Sequence, residues 1–108
     1  MPQGSDAVIA MAMDAQPRIE FDRYVIETLL PDLVAHDRRP SAFLAWLVIA
    51  AAGGWTPLSH SQLAERAGIS RRGAQGAVAH LARRGLIESR RRGPSETAEY
   101  RATAPWRR

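Results

Sequence analysis

Two short helices joined by a tight turn, in residues 59–85, constrain the fold of this chain more than any other feature. Ser59 opens the stretch Ser-His-Ser-Gln, whose spacing is that of a capping box at a helix N-terminus. Gly68 supplies the left-handed backbone that a tight turn needs, and Ser70 is placed to cap the next helix. That helix is predicted over Arg71–Arg84, where a glycine follows it. The segment therefore predicts a helix-turn-helix.

The second helix of this pair has an apolar face and a polar face. Since successive residues turn by about 100°, the apolar residues fall on one inward face: Ala74, Ala77, Val78 and Leu81. The outward face combines arginines with two glycines and a histidine: Arg72, Gly73, Gly76, His80 and Arg83, with Arg71 and Gln75 at its flank. A glycine weakens a helix by about 1 kcal/mol relative to alanine. The two glycines therefore indicate either a close approach of the backbone to a ligand or a binding face of relaxed specificity.

Two strands are predicted after the helix pair. They are Leu86–Arg90 and Glu99–Thr103, with a basic turn at residues 91–95 between them. Together they form a hairpin with a basic tip. A short extended piece is also predicted before the helix pair, at Trp55–Leu58.

The residues upstream of the helix pair predict two further helical regions. An apolar stripe recurs every four positions across Ile19–His36: Phe21, Val25, Leu29 and Leu33. Pro31 interrupts this pattern, which predicts either a kinked helix or two short ones. Ser41 is predicted to cap a second helix that runs to about Ala52. The stripe either packs on that second helix or forms part of a dimer interface.

The length of the chain fits one small domain of mainly α structure with a β-hairpin. With 108 residues it can bury a single core but not two. Residues 1–18 are predicted to form a flexible N-terminal tail, and residues 19–108 a single domain. Within that domain, 19–52 are the N-terminal helices, 57–84 the helix-turn-helix and 86–103 the hairpin.

Charge is divided unevenly along the chain. All 15 basic residues are arginine. Residues 1–58 carry four arginines against seven acids, whereas residues 59–108 carry 11 arginines against four acids. A bias of genome composition would not sort charges in this way. The division predicts a polyanion-binding half joined to a half with another task.

The sequence has no motif that is typical of an enzyme, a metal site or a membrane protein. It has no cysteine, which excludes disulfides and thiolate chemistry. His36, His60 and His80 lack the spacing of metal ligands and are expected at the surface or in turns. The longest apolar run is too short to cross a bilayer, and the N-terminus lacks the basic leader of a signal peptide. We therefore expect a cytoplasmic protein that is not an enzyme and needs no cofactor.

Two stretches around the turn resemble the winged helix-turn-helix of bacterial transcription regulators of the MarR and GntR kinds. They are Leu63–Arg72, which contains Gly-Ile-Ser-Arg, and Val78–Ile87, which contains Arg-Gly-Leu-Ile. The resemblance covers about Pro57–Thr103, and Phe21–Ala52 is similar to small helix-turn-helix regulators of proteobacteria. It implies that Ser70–Arg84 enters the DNA major groove and that the hairpin, or wing, contacts the DNA backbone. The residues that it assigns to DNA contact are Ser70, Arg71, Arg72, Gly73, Gln75, Gly76, Arg90, Arg91 and Arg92.

The function predicted from these features is that of a sequence-preferring regulator of transcription that binds double-stranded DNA. We expect a homodimer, because helix-turn-helix proteins usually bind two half-sites with twofold symmetry. One alternative is a winged-helix adaptor whose basic face meets an acidic protein, a reading that the two glycines favour. Another is an architectural or RNA-binding protein with no sequence preference. No membrane partner is expected, and the sequence assigns no small-molecule effector.

Overall fold

The computed structural model describes residues 17–107 and gives them a mainly helical fold with a small antiparallel sheet. Two π-helical segments, Val25–Leu29 and Asp32–His36, come first. The α-helices of the described part are α1 (Pro40–Ala51), α2 (His60–Ala67) and α3 (Arg71–Arg83), and its strands are β1 (Thr56–Pro57), β2 (Ile87–Arg90) and β3 (Glu99–Ala102). The predicted fold class is confirmed. The predicted tail, residues 1–18, lies outside the described residues apart from its last two.

The N-terminal helical region is continuous over residues 23–36 and contains two π-helical turns, one on each side of Leu30 and Pro31. The N–H of Leu30 donates to the carbonyl of Val25, and the N–H of Asp37 donates to that of Asp32 at 2.8 Å, so both turns close over five residues. Pro31 lies between the two turns with helical φ and ψ angles of −64° and −31°, so the chain stays helical although the proline donates no N–H. The wide turns keep residues four apart on the same face of the helix.

The apolar stripe of this region packs inward and joins the core of the domain. Val25, Leu29 and Leu33 are buried in the same cluster as Ile49 of α1 and Leu81 of α3. Burying a side chain of this kind stabilises the fold by about 1.5–3 kcal/mol. The internal packing expected for the stripe is therefore observed for three of its four members. The fourth, Phe21, is 40% exposed and contacts the Trp46 ring at 6.0 Å between ring centroids.

Helix α1 begins earlier than the sequence suggested. Ser41 was expected to cap it, but the helix starts at Pro40, with Arg39 as the residue before it and no side-chain cap. Proline fits the first position of a helix because its φ angle is already helical and an N–H there would have no partner. Pro40 thus occupies the first helical position, and Ser41 lies within the helix instead of capping it. The helix ends as predicted, since Gly53 has a φ of +78°.

The helix-turn-helix has the local geometry that the sequence predicts. The Ser59 hydroxyl accepts from the N–H of Gln62 at 3.1 Å, and the Gln62 side chain accepts from the N–H of Ser59 at 2.9 Å. Gly68 has a φ of +70°, and the Ser70 hydroxyl accepts from the N–H of Gly73 at 2.9 Å. The capping box, the turn and the second cap are therefore confirmed. Helix α3 ends at Arg83, one residue before the predicted end.

The sheet contains the predicted hairpin and one additional short strand. The β2–β3 pairing sets Ile87 opposite Ala102, and β1 pairs with the other edge of β3, with Thr56 opposite Tyr100. The extended piece predicted before the helix pair is thus an edge strand of the same sheet. The indole N–H of Trp46 donates to the carbonyl of Leu86 at 3.1 Å, which joins α1 to the start of the hairpin.

Residues 105–107 return to the N-terminal region. The indole N–H of Trp106 donates to Asp22 at 2.9 Å, and its ring stacks on Tyr24 at 4.6 Å between centroids. Arg107 donates to the same carboxylate at 2.6 and 2.9 Å. This cluster fixes the two ends of the described chain on one side of the core.

Candidate nucleic-acid interface

The exposed face of α3 carries three of the predicted contact residues. Ala74, Ala77 and Leu81 are buried, which fixes the rotation of the helix on the core. Arg71, Arg72 and Gln75 are exposed in consequence, because Arg72 lies opposite the buried face and Arg71 and Gln75 lie at its flanks. The helix therefore presents two arginines and an amide to solvent within its first two turns.

Arg71 and Arg72 have no partner in the described part of the chain. Neither guanidinium makes an ion pair or a hydrogen bond with any residue between 17 and 107. An arginine carries five N–H donors in a planar fork, which matches a phosphate or the edge of a guanine. The donors of both side chains are therefore available to a ligand that approaches this face.

Ser70 and the two glycines have structural roles next to this face. The Ser70 hydroxyl is engaged as the helix cap, while the residue itself stays exposed. A Cβ on Gly73 would lie 3.0 Å from that hydroxyl oxygen, so even an alanine would crowd the cap. A Cβ on Gly76 would lie 3.7 Å from Nη1 of Arg39, a residue that comes from the start of α1. Both glycines are half-buried by these neighbours.

His80 does not lie on the outward face, and that prediction was wrong. Its side chain is 15% exposed, and its Nε2 donates to Oδ2 of Asp37 at 2.7 Å. Arg84 forms an ion pair with the same oxygen, 3.1 Å from its Nε, and also pairs with Asp32. Hydrogen bonds from His80 and His36 lower the pKa of Asp37 below its ordinary range. The helical period of α3 could not predict this contact, because the acidic partners lie in a distant part of the sequence.

Three side chains of this network have the types and spacing of possible metal ligands. Oxygen and nitrogen atoms of Asp32, His36 and Asp37 lie within 4.8 Å of one another. Arg84 already pairs with both Asp32 and Asp37. A guanidinium in that position competes with a cation for the same oxygens. The network is therefore explained as an ion-paired joint between the N-terminal region and the end of α3.

The wing carries the remaining predicted residues, and two of them share one carboxylate. The Nε atoms of Arg90 and Arg92 donate to the same oxygen of Glu99 at 3.2 and 3.1 Å. The hydrogen bond from Arg90 holds the pKa of Glu99 below its ordinary range, so the carboxylate stays charged. Arg91 donates through Nη1 to the backbone carbonyl of Glu96 at 3.0 Å. These bonds leave other N–H groups of each arginine without a described partner.

Trp55 supports the wing in a way that the sequence did not predict. The Arg90 guanidinium lies 4.1 Å from the centroid of the indole ring, and the Arg101 guanidinium lies 4.7 Å from it. Such cation–π contacts contribute about 0.5–1 kcal/mol at exposed sites. Trp55 precedes the edge strand β1 and Arg101 lies on β3, so strand pairing creates this stack. A spacing pattern within the sequence does not reveal it.

A cleft between the wing and α3 joins the two groups of arginines. Arg71 and Arg91 lie on its walls, together with Ser59, His60 and Glu96. Arg72 and Gln75 line a second cleft, which runs toward Arg39. The structure thus brings the predicted residues of α3 and of the wing to neighbouring surfaces. In residues 17–107, no helix has the length and apolar character that a membrane span requires.

Comparisons with known proteins identify the family. The sequence model described as MarR family matches residues 36–96, which is more than half of the chain. No curated protein matches this sequence. Among solved structures, the crystal structure of the AntR antimony-specific transcriptional repressor aligns with 20% identity, covering 88% of this chain and 78% of that one, with a TM-score of 0.48. On the strength of the family match, this chain belongs to the MarR family of winged helix-turn-helix transcription regulators.

Proposed function

We propose that this protein is a sequence-preferring regulator that inserts α3 into the major groove of DNA and sets its wing on the DNA backbone. The observation that carries the proposal is the exposed pair Arg71 and Arg72, which has no partner in the described part of the chain. The major groove admits an α-helix and presents a different pattern of donors and acceptors for each base pair. Arginine bonds guanine bidentately and Gln75 can do the same with adenine.

The wing supplies contacts of another kind. Arg90, Arg91 and Arg92 are held by Glu99 and Glu96 through some of their N–H groups, which orders the side chains before a ligand arrives. Ordering in advance lowers the entropy cost of binding. Phosphate contacts fix the register of a protein on the duplex but carry no sequence information. We assign the wing arginines to this role and Arg71, Arg72 and Gln75 to base contacts.

We further propose that the protein acts as a homodimer on two half-sites. Five large apolar side chains of the described residues are exposed, four in the N-terminal region and one on α1: Ile19, Phe21, Tyr24, Ile26 and Leu44. Exposed apolar side chains grouped in one segment of the chain are typical of a protein–protein interface. Sedimentation equilibrium tests this directly, and a monomer at micromolar concentration would contradict it.

Binding of variants to a duplex selected from a random pool tests the assignment of the contact surface. Arg71→Ala and Arg72→Ala should each cost about 1–3 kcal/mol, and at least one should relax the preference at a single base pair. Arg91→Ala and Arg92→Ala should weaken binding on all sequences alike and reduce the slope of log K against log salt by about 1 each. The matched control is Arg23→Ala, which removes an arginine paired with Glu27 outside this surface.

The outcomes separate this proposal from the other classes. Unchanged affinity in all four variants would overturn the contact surface. Equal affinity for all duplexes, with a steep salt dependence, would indicate an architectural protein instead. An adaptor would bind no duplex, and would keep an acidic protein partner after nuclease treatment of a lysate.

A further inference from the structure

A residue from outside the helix-turn-helix lies beside the exposed face of α3. Arg39 precedes α1, in the half of the sequence that is acidic overall. Its N–H donates to the carbonyl of Leu33 at 2.8 Å, and its carbonyl accepts from the N–H of Ala42 at 3.0 Å. Pro40, with its restricted φ, follows directly. The backbone of Arg39 is therefore held at both sides, so its long side chain starts from a fixed point.

The guanidinium of Arg39 reaches the middle of α3 at a glycine. Its Nη1 lies 3.7 Å from the position that a Cβ on Gly76 would take. Arg39 lines the same cleft as Arg72 and Gln75. A long side chain at position 76 would occupy this space and push the guanidinium away. The glycine thus leaves room for the positively charged Arg39 side chain at the surface that the proposed function assigns to DNA.

The charge of Arg39 is not compensated within the described residues. Its guanidinium makes no ion pair or hydrogen bond with any residue of the described range. The nearest acid in sequence, Asp37, is engaged with His36, His80 and Arg84. A second unpaired cation, Arg72, lines the same cleft, and like charges that share a cleft favour an anion between them.

From this geometry we infer that Arg39 binds a phosphate of the DNA backbone at the edge of the groove that α3 enters. The inference rests on the proposed function and extends the contact surface beyond the helix-turn-helix and the wing. Arg39 lies beside the middle of the helix rather than at its N-terminal end, which is the end that contacts base edges in such motifs. Gly76 is the positioning residue for this contact. Because it lacks a side chain, Gly76 leaves room for the Arg39 guanidinium, which accounts for one of the two glycines on this helix.

The test compares variants on the selected duplex at several salt concentrations. Arg39→Gln should weaken binding about tenfold, as expected for the loss of one charge-assisted hydrogen bond. It should also reduce the salt slope by about 0.9 and leave the base preference unchanged. Arg23→Gln removes a charge elsewhere, and sedimentation equilibrium must first show that it keeps the oligomeric state of the wild type. It should then stay within about twofold of the wild type, since its distant charge is screened by salt.

Substitutions at Gly76 test whether the absence of a side chain there makes room for Arg39. Gly76→Ala places its Cβ at an ordinary contact distance from the Arg39 guanidinium and should weaken binding less than Gly76→Gln does. Gly76→Gln should displace the guanidinium and weaken binding as much as Arg39→Gln, and the double variant should be no weaker than either single one. Circular dichroism of each variant confirms that it is folded.

Three results would overturn the inference in distinguishable ways. Binding by Arg39→Gln at the wild-type affinity and salt slope would refute the phosphate contact while the proposed function stands. Failure of the wild type to bind any duplex would refute both together. A changed base preference in Arg39→Gln would refute the phosphate assignment in favour of a base contact.

Discussion

Replacing Ser70 and Gly73, singly and together, tests the cap of α3 through a coupling that the structure predicts. The Ser70 hydroxyl accepts from the N–H of Gly73 at 2.9 Å, and a Cβ on Gly73 would lie 3.0 Å from the same oxygen. Ser70→Ala removes the cap and should destabilise the fold by about 1 kcal/mol. Gly73→Ala has a helix-propensity gain of about 1 kcal/mol, most of which should be lost because the new methyl group displaces the hydroxyl.

The double variant should reveal the coupling. Once Ser70→Ala has removed the hydroxyl, the alanine at position 73 meets no crowding and its full gain is realised. The double variant should therefore be about as stable as the wild type, whereas additivity of the single effects predicts a loss of about 1 kcal/mol. In a domain of this size, about 1 kcal/mol corresponds to a shift of roughly 4–8 °C in Tm.

Urea unfolding followed by tryptophan fluorescence measures these differences. An unchanged m value would show that the variants differ in stability and not in the surface exposed on unfolding. Gly76→Ala is the matched control, because its Cβ has an ordinary contact distance and its gain should appear in both backgrounds. Agreement of the double variant with the sum of the single variants, to within about 0.3 kcal/mol, would refute the crowding argument.

Three further predictions concern stability. Hydrogen bonds from Arg107 and from the indole of residue 106 lower the pKa of Asp22 from 3.8 to about 2, so its contribution should be present above pH 3.8 and be lost as the pH falls toward 2. Asp22→Asn should abolish that part of the acid dependence in unfolding titrations between about pH 5 and 1, a range that brackets both pKa values. Trp46→Phe should lower the free energy of unfolding by about 1–2 kcal/mol, which would appear as a lower urea midpoint. The variant loses the hydrogen bond to the carbonyl of Leu86 and some buried apolar area. Gly68→Ala should cost about 1–2 kcal/mol through its positive φ alone, and Gly68→Asn should cost less, because Asn adopts this backbone more readily.

Features that depend on neighbours in the sequence were predictable. The capping box at Ser59, the positive φ of Gly68 and the cap at Ser70 each involve contacts within a few residues. The apolar faces of the helices were predictable for the same reason, since they follow from the helical period. At Ser41, two local rules competed, and the preference of Pro40 for the first helical position decided the start of α1.

Features that depend on tertiary packing were not predictable. His80 and Asp37 are 43 residues apart in sequence, and only the packing of α3 on the N-terminal region brings them together. The approach of Arg39 to Gly76 has the same origin. The uneven charge along the sequence suggested two halves with separate tasks. In the fold, acids of the first half pair with Arg84, and an arginine of the first half lies beside the helix of the second.

Selection from a pool of random duplexes tests the central claim most directly. Fluorescence anisotropy of the purified protein at several salt concentrations, followed by sequencing of the bound fraction, measures the electrostatic and the sequence-dependent parts of binding together. The account predicts a steep salt dependence and enrichment of a motif with two half-sites related by a dyad. Absence of binding even at low salt would contradict it.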